Sequence, residues 1–315
     1  MSKLQFAVIG FGNMGKIHYK AITKNNLCAK PFIVENNPEM LSGYENIEFY
    51  DDFEYFISKK GEEIDGVIIS TPSIYHFEHA KPFIEKKIPV LIEKPITSNY
   101  STDNEIFEAA RKNKTLIKCG LIELYNPIVE ELSNLDFQEI KFVHFKRHSP
   151  KTLESRKLEN IILDLTLHDI SIIYKVFEPE QIEIIGCDLT FKKEIAESAQ
   201  ILLKINNSFT IFLSSSRQDQ EKIRTVEIFD ENMSYFCDLK NKFYETKQSG
   251  KISTQSSKSI TESNIQNKID MLHKPETAEL QMQSFINAII EKDLDLKNLE
   301  IAEKTHQLAY KLLNT

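Results

Sequence analysis

Three groups of residues stand at spacings that suggest chemistry. The run FAVIGFGNMG sets Gly10, Gly12 and Gly15 in a GxGxxG pattern. PVLIEKP puts Lys94 directly after an apolar stretch and before Pro95. ILDLTLHDI places Asp164 four residues ahead of His168. The glycine pattern follows a strand-like run and opens a helical one, the setting in which it marks a dinucleotide site. Gly10 permits the tight turn, Gly12 lets backbone approach a pyrophosphate, and Gly15 lets the helix sit close on the sheet. The bare amides of the first helical turn, at Asn13 and Met14, then face the anion.

Other residues gather around that loop. The second strand-like run ends at Glu35, whose carboxylate suits the hydroxyls of an adenosine ribose and repels a 2′-phosphate. NAD is therefore expected rather than NADP. Phe11 and Met14 either cover the cofactor or pack into the core. Ligands of a doubly wound sheet lie at the carboxyl ends of its strands. Those ends carry Thr71, Pro72 and His76 after VIIS, and Glu93 and Lys94 after PVLI. Asp164 and His168, spaced by four, share a face if their segment is helical.

The elements that must hold these residues are legible as two patterns. Short apolar runs at Leu4–Ile9, Ala29–Glu35, Ile47–Tyr50, Asp65–Ser70, Pro89–Glu93 and Thr115–Cys119 alternate with helical stretches. That alternation predicts an α/β Rossmann domain with a doubly wound parallel sheet over 1–121. Residues 122–315 are expected to form a second α/β domain with a large, mostly antiparallel open sheet. There, strand-like runs follow one another across polar turns such as Asn206–Ser208. The helical run Leu163–Val176 carries Asp164 and His168. Polar Gln248–Lys268 reads as a loop or lid.

Composition narrows the class. The 315 residues include only 9 Gly and 10 Pro, with 41% hydrophobic and 27% charged residues, which excludes collagen-like or wholly disordered chains. The net charge of −8 argues against nucleic acid or an anionic membrane as partner. Four scattered cysteines form no CxxC pair. They read as buried thiols of a cytoplasmic protein. The apolar run near the N-terminus is too short for a signal-peptide core. No metal site is expected.

GFGNMG, TPSIYH, EKP and LDLTLHDI together resemble the Gfo/Idh/MocA family of NAD(P)-dependent sugar and polyol oxidoreductases. The resemblance implies Lys94, Asp164 and His168 as the active-site set. It also implies homodimers or homotetramers that pair through the C-terminal sheet. His76 matches a position near the cofactor; His18 matches one too or has a structural role, and His79 reads as a solvated group. GLIELYNPIVEEL and IILDLTLHDISII look closest to members that oxidise the C3 hydroxyl of UDP-N-acetylglucosamine, which implies substrate contacts from Tyr125 and Asn126. Arg147, Arg156 and Lys157 either offer cations for a diphosphate or are simply solvated, and the strand-like run with His144 and His148 either lines the substrate pocket on one face or is an alternating surface strand. Alternatives are a free sugar or inositol-like polyol as substrate, or a non-catalytic NAD-binding regulator. Hydride leaves an alcohol carbon only as its hydroxyl loses a proton, so His168 is the expected base and Lys94 the donor to the developing alkoxide. On this reading His168→Ala removes the histidine-like limb of the kcat/KM pH profile and costs roughly 100-fold. An unchanged profile in that variant reassigns the base to Lys94.

Overall fold

The computed structural model describes residues 3–137, 139–150, 159–248 and 265–315. Six short strands form one parallel sheet: β1 (Phe6–Ile9), β2 (Phe32–Val34), β3 (Phe49–Tyr50), β4 (Gly66–Ile69), β5 (Val90–Ile92) and β6 (Ile117–Cys119). Their order is β3-β2-β1-β4-β5-β6, with every neighbour parallel. Each expected apolar run yields one strand. Phe6–Ile9, Phe32–Val34, Gly66–Ile69 and Val90–Ile92 are buried throughout, as parallel strands covered on both faces must be. Helices α1 (Asn13–Lys24), α2 (Phe53–Lys60), α3 (His76–Glu85) and α4 (Tyr100–Asn113) make the crossovers. Winding reverses between β1 and β4, which opens a crevice at the carboxyl ends of those strands.

The second sheet is built differently. Helix α5 (Pro127–Ser133) leads to β7 (Ile140–Pro150). A π-helical turn over Ile162–Thr166 runs into α6 (Leu167–Phe177). Strands β8 (Ile182–Lys192), β9 (Ile195–Ile205), β10 (Phe209–Asp219), β11 (Ile223–Asp230), β12 (Met233–Asp238), β13 (Phe243–Gln248) and β14 (Ile265–Asp270) follow. The order is β14-β13-β12-β11-β7-β10-β9-β8, and only β7 with β10 is parallel. Asn206 and Asn207, both at positive φ, make the turn between β9 and β10, a conformation that asparagine tolerates. One face is core: Val143, Phe145 and Arg147 of β7 are buried, as are Ile211, Leu213, Ser215 and Arg217 of β10. Their alternates, including His144, Lys146, His148, Phe212 and Ser214, belong to the opposite face.

Two expectations change. Gln248–Lys268 does not read through as a loop, because Ile265–Asp270 pairs with β13 as an edge strand; 249–264 lie outside the described residues. The division at 121/122 also shifts. Helices α7 (Thr277–Glu291) and α8 (Leu296–Leu313) close the chain. The compact units are Met1–Tyr125 with Glu276–Tyr310, and Asn126–Pro275 with Lys311–Thr315. Apolar packing draws α7 back: Phe285, Ile286 and Met282 join Phe6, Val8 and Ile22 in one core, with Phe285 and Phe6 ring centroids 6.0 Å apart.

A buried cation fastens the returning helices. Lys118 of β6 is 1% exposed at its side chain, and its Nζ donates to Ser284 Oγ (2.8 Å) and Asp295 Oδ2 (2.5 Å). Removing one partner of a buried pair leaves the other charge uncompensated. Asp295→Asn is expected to cost about 3 kcal/mol in urea unfolding. Lys118→Met, which removes the buried charge itself, costs less.

Candidate active site

The first unit builds a cradle at the end of β1. Gly10 has φ +89, and a Cβ there would lie 2.7 Å from Thr71 N. A Cβ on Gly15 would lie 2.1 Å from Gly10 O, so α1 sits against the loop as only glycine allows. A Cβ on Gly12 would meet nothing within 4 Å. Gly12 is also the N-cap of α1 and supplies no side-chain cap. The space beside Gly12 and the uncapped amides fit a pyrophosphate. Ser70 Oγ holds the loop by donating to Gly10 O at 2.8 Å.

Glu35 stands at this loop, with Oε2 accepting from Phe11 N–H (2.7 Å) and Oε1 from Asn37 N–H (2.9 Å). The carboxylate is thus oriented before any ribose arrives. Phe11 takes the core alternative: it is fully buried, edge-on to Tyr19 and Tyr44 with centroids 5.6 and 5.0 Å away. Met14 is half-buried and Asn13 exposed on the first turn.

The turn that carries Lys94 is tied from several sides. Glu93 Oε1 pairs with His18 Nε2 at 2.7 Å, both side chains buried, and Glu93 Oε2 accepts from Lys94 N–H at 3.2 Å. A Cβ on Gly120 would fall 2.7 Å from Glu93 Oε2, so that glycine makes room for the carboxylate. The Lys94–Pro95 peptide is cis. His76 is 1% exposed; its Nε2 lies 2.7 Å from Thr71 O and its Nδ1 3.0 Å from Pro95 O. Ile96 N–H donates to His306 Nε2 at 3.1 Å, and His306 Nδ1 donates in turn to Ala302 O at 2.7 Å. Thr97 Oγ1 donates to Asp103 Oδ1 at 2.6 Å. Both ring nitrogens of His76 and the Nε2 of His18 thus serve the frame: His76 ties the loop after β4 to the loop after β5, and His18 holds Glu93. Thr71 is half-buried, with its hydroxyl 3.1 Å from His79 Nδ1, and Pro72 is exposed. His79 is not a solvated surface group. It packs 4.5 Å from Phe53, and burial lowers its pKa.

Two expected substrate contacts are occupied within the protein. Tyr125 OH lies 3.4 Å from Lys118 Nζ and accepts from Asn298 Nδ2 at 3.1 Å, while burial raises its pKa. Asn126 donates to Leu239 O (2.9 Å) and caps α5 by accepting from Ile128 N–H (3.0 Å).

The second unit holds Asp164 and His168, 5% and 8% exposed. The expected uninterrupted helix instead begins with the π turn, which contains Asp164, and His168 lies in the first turn of α6. π turns are uncommon and recur at functional sites. Arg217 of β10 donates to Asp164 Oδ2 from Nη2 (2.9 Å) and Nε (3.3 Å). Arg147 is a correction. Its Nε donates to Asp169 Oδ1 at 2.8 Å, with the two side chains 1% and 2% exposed, so it belongs to the core rather than to a diphosphate. His144 and His148 lie on the other face of the sheet from Arg147 and Arg217. There His148 bridges Asp219 Oδ2 (3.0 Å) and Ser214 Oγ (2.8 Å), and hydrogen bonds from His148 and from two backbone amides lower the Asp219 pKa. Arg156 and Lys157 lie outside the described residues. All four thiols are free; burial pushes Cys28 up to about 11 and raises Cys119 and Cys237 well above the ordinary thiol range. None is poised as a nucleophile.

Sequence reading missed Arg217, His306 and Asp103. Arg217 had a signal, since it shares the parity of Ile211 and Leu213. His306 had none, since nothing local links it to Ile96.

Residues 4–121 match the model of an oxidoreductase family with an NAD-binding Rossmann fold, the Gfo/Idh/MocA family. UDP-N-acetylglucosamine 3-dehydrogenase of Acidithiobacillus ferrooxidans is 23% identical over 233 residues, 73% of this chain and 72% of that protein. Inositol 2-dehydrogenase of Rhodococcus jostii is 25% identical over 187 residues, 56% of this chain but only 50% of that protein. A solved structure of the Acidithiobacillus ferrooxidans enzyme superposes with a TM-score of 0.80 at 19% identity, covering 99% of this chain and 97% of the other.

Gly12 and Gly15 make separable predictions. Gly12→Val should leave the melting temperature within a degree or two of wild type yet weaken NAD binding at least ~10-fold, because the side chain fills the pyrophosphate space. Gly15→Ala should lower stability by about 2 kcal/mol through overpacking. Calorimetry and equilibrium dialysis read both; equal NAD affinity in Gly12→Val contradicts the assignment.

Proposed function

We propose, from a chain whose residues 4–121 match the model of the Gfo/Idh/MocA oxidoreductase family, that the protein is an NAD-dependent dehydrogenase of a sugar ring hydroxyl. The observation that carries this reading is the open space at Gly12 beside the uncapped start of α1. The Glu35 carboxylate, already aimed at the same loop, favours NAD over NADP because it would repel a 2′-phosphate. When bound, the nicotinamide supplies a hydride acceptor or donor. The protein's part is binding and proton handling. His168 takes the hydroxyl proton, since imidazole titrates near working pH. Lys94 donates a hydrogen bond to the same oxygen and stabilises its developing charge. Asp164 orients hydroxyls of the sugar.

The preferred substrate is a nucleotide sugar of the UDP-N-acetylglucosamine kind, oxidised at C3. Support comes from the similarity of 73% of the chain to a dehydrogenase of that name. Similarity to inositol dehydrogenases supports a second reading, a free polyol. Self-association through the second sheet also belongs to this proposal. The face opposite the core carries half-buried Phe142, Phe212 and Phe236 and exposed Phe229, a surface suited to a second copy.

UDP alone separates the two substrate readings. Bound ligand stabilises by mass action, about 2.7 kcal/mol at a hundredfold excess over Kd. Millimolar UDP should therefore raise the melting temperature by several degrees. No shift with UDP, together with turnover of inositol, assigns the polyol reading instead.

A further inference from the structure

Asp164 is held from one side by a strand that local sequence does not connect to it. Arg217 places Nη2 at 2.9 Å and Nε at 3.3 Å from Asp164 Oδ2, and the two side chains are each 7% exposed. The same Nη2 donates to Glu159 O at 2.8 Å. Nη1 faces Glu197 of β9 at 3.8 Å, an ion-pair distance without a hydrogen bond. The guanidinium therefore stands between two carboxylates and a carbonyl, which leaves it one orientation.

A second tie lies next to the first. Thr166 Oγ1 and Ser215 Oγ are 2.9 Å apart, both residues fully buried. Ser215 and Arg217 are alternate residues on the core face of β10. Thr166 and Asp164 are separated by the same interval in the π turn. The strand thus grips the turn at two points, and the turn's irregular winding places both its polar side chains against one strand face. A planar fork fixes a carboxylate's direction as well as its charge, which a flexible ammonium does less well.

We propose that Arg217 is a positioning residue: it sets the direction of the Asp164 carboxylate for the sugar, with Glu197 steadying the guanidinium. This inference rests on the dehydrogenase reading above, in which Asp164 meets substrate hydroxyls. Arg217 itself touches Asp164 rather than the sugar.

The test is steady-state kinetics of the purified full chain with NAD and UDP-N-acetylglucosamine, or inositol if that is the substrate turned over, on wild type, Arg217→Lys, Arg217→Met and Glu197→Gln. Arg217→Lys should raise the sugar KM ~10-fold while kcat and the NAD KM stay within ~3-fold. Arg217→Met should lose at least ~100-fold in kcat/KM for the sugar while still binding NAD in dialysis and keeping the wild-type circular-dichroism spectrum, which together show that both units stay folded. Glu197→Gln should raise the sugar KM by a smaller factor. A wild-type protein that oxidises neither compound overturns the functional reading, and this inference with it. An active wild type whose Arg217→Lys variant keeps the sugar KM unchanged overturns the inference alone. The same holds if Arg217→Lys and Arg217→Met lower both KM-independent activity and NAD binding equally, since that is the mark of a purely structural pair.

Discussion

The closeness of α1 to the loop before it governs the first half of the molecule. The position of a Gly15 Cβ lies 2.1 Å from Gly10 O, so the helix could not approach as it does with any larger residue. That approach brings the first amides of α1 to the carboxyl edge of the sheet, beside the open space at Gly12. Amides without helical acceptors carry partial positive charge, and the aligned peptide dipoles add to it. An anion at this edge is bound by geometry that the backbone already holds.

A different economy fixes the turn that carries Lys94. Its backbone leaves the sheet among apolar strands, where each polar group needs a partner. The partners are buried histidines and one aspartate from distant segments: His18, His76 and His306, with Asp103. The tautomer of His306 follows from its neighbours. Ile96 N–H can only donate, so Nε2 accepts and Nδ1 carries the proton toward Ala302 O. Such a ring works as a spacer of fixed length between α8 and the turn. The second sheet uses a parallel device, with buried Arg147 and Arg217 each meeting an aspartate from the segment over it.

Local pattern carried much of this. The six parallel strands were legible because both their faces are covered, which leaves unbroken apolar runs in the sequence. The glycine loop was legible because each glycine answers a separate steric demand. What was lost needed the third dimension. Strand β14 hides as IQNKID, because an edge strand needs few apolar residues. The π turn at Ile162–Thr166 has no sequence mark that separates it from an α-helix. Arg147 reads as a candidate diphosphate ligand because it is a cation, although its parity with Val143 and Phe145 points inward. Tyr125 and Asn126 follow a family pattern, yet their polar atoms are taken up by Lys118, Asn298, Leu239 and the start of α5. The return of α7 and α8 to the first unit depends on apolar contacts such as Phe285 with Phe6, which no local signal reports.

Occupancy of the glycine cradle is the claim on which the rest stands, and equilibrium dialysis of the wild-type protein against NAD and NADP addresses it most directly. The account predicts saturable retention of one NAD per chain, with NADP held more weakly because Glu35 repels the added phosphate. Retention of neither dinucleotide at millimolar concentration would contradict it.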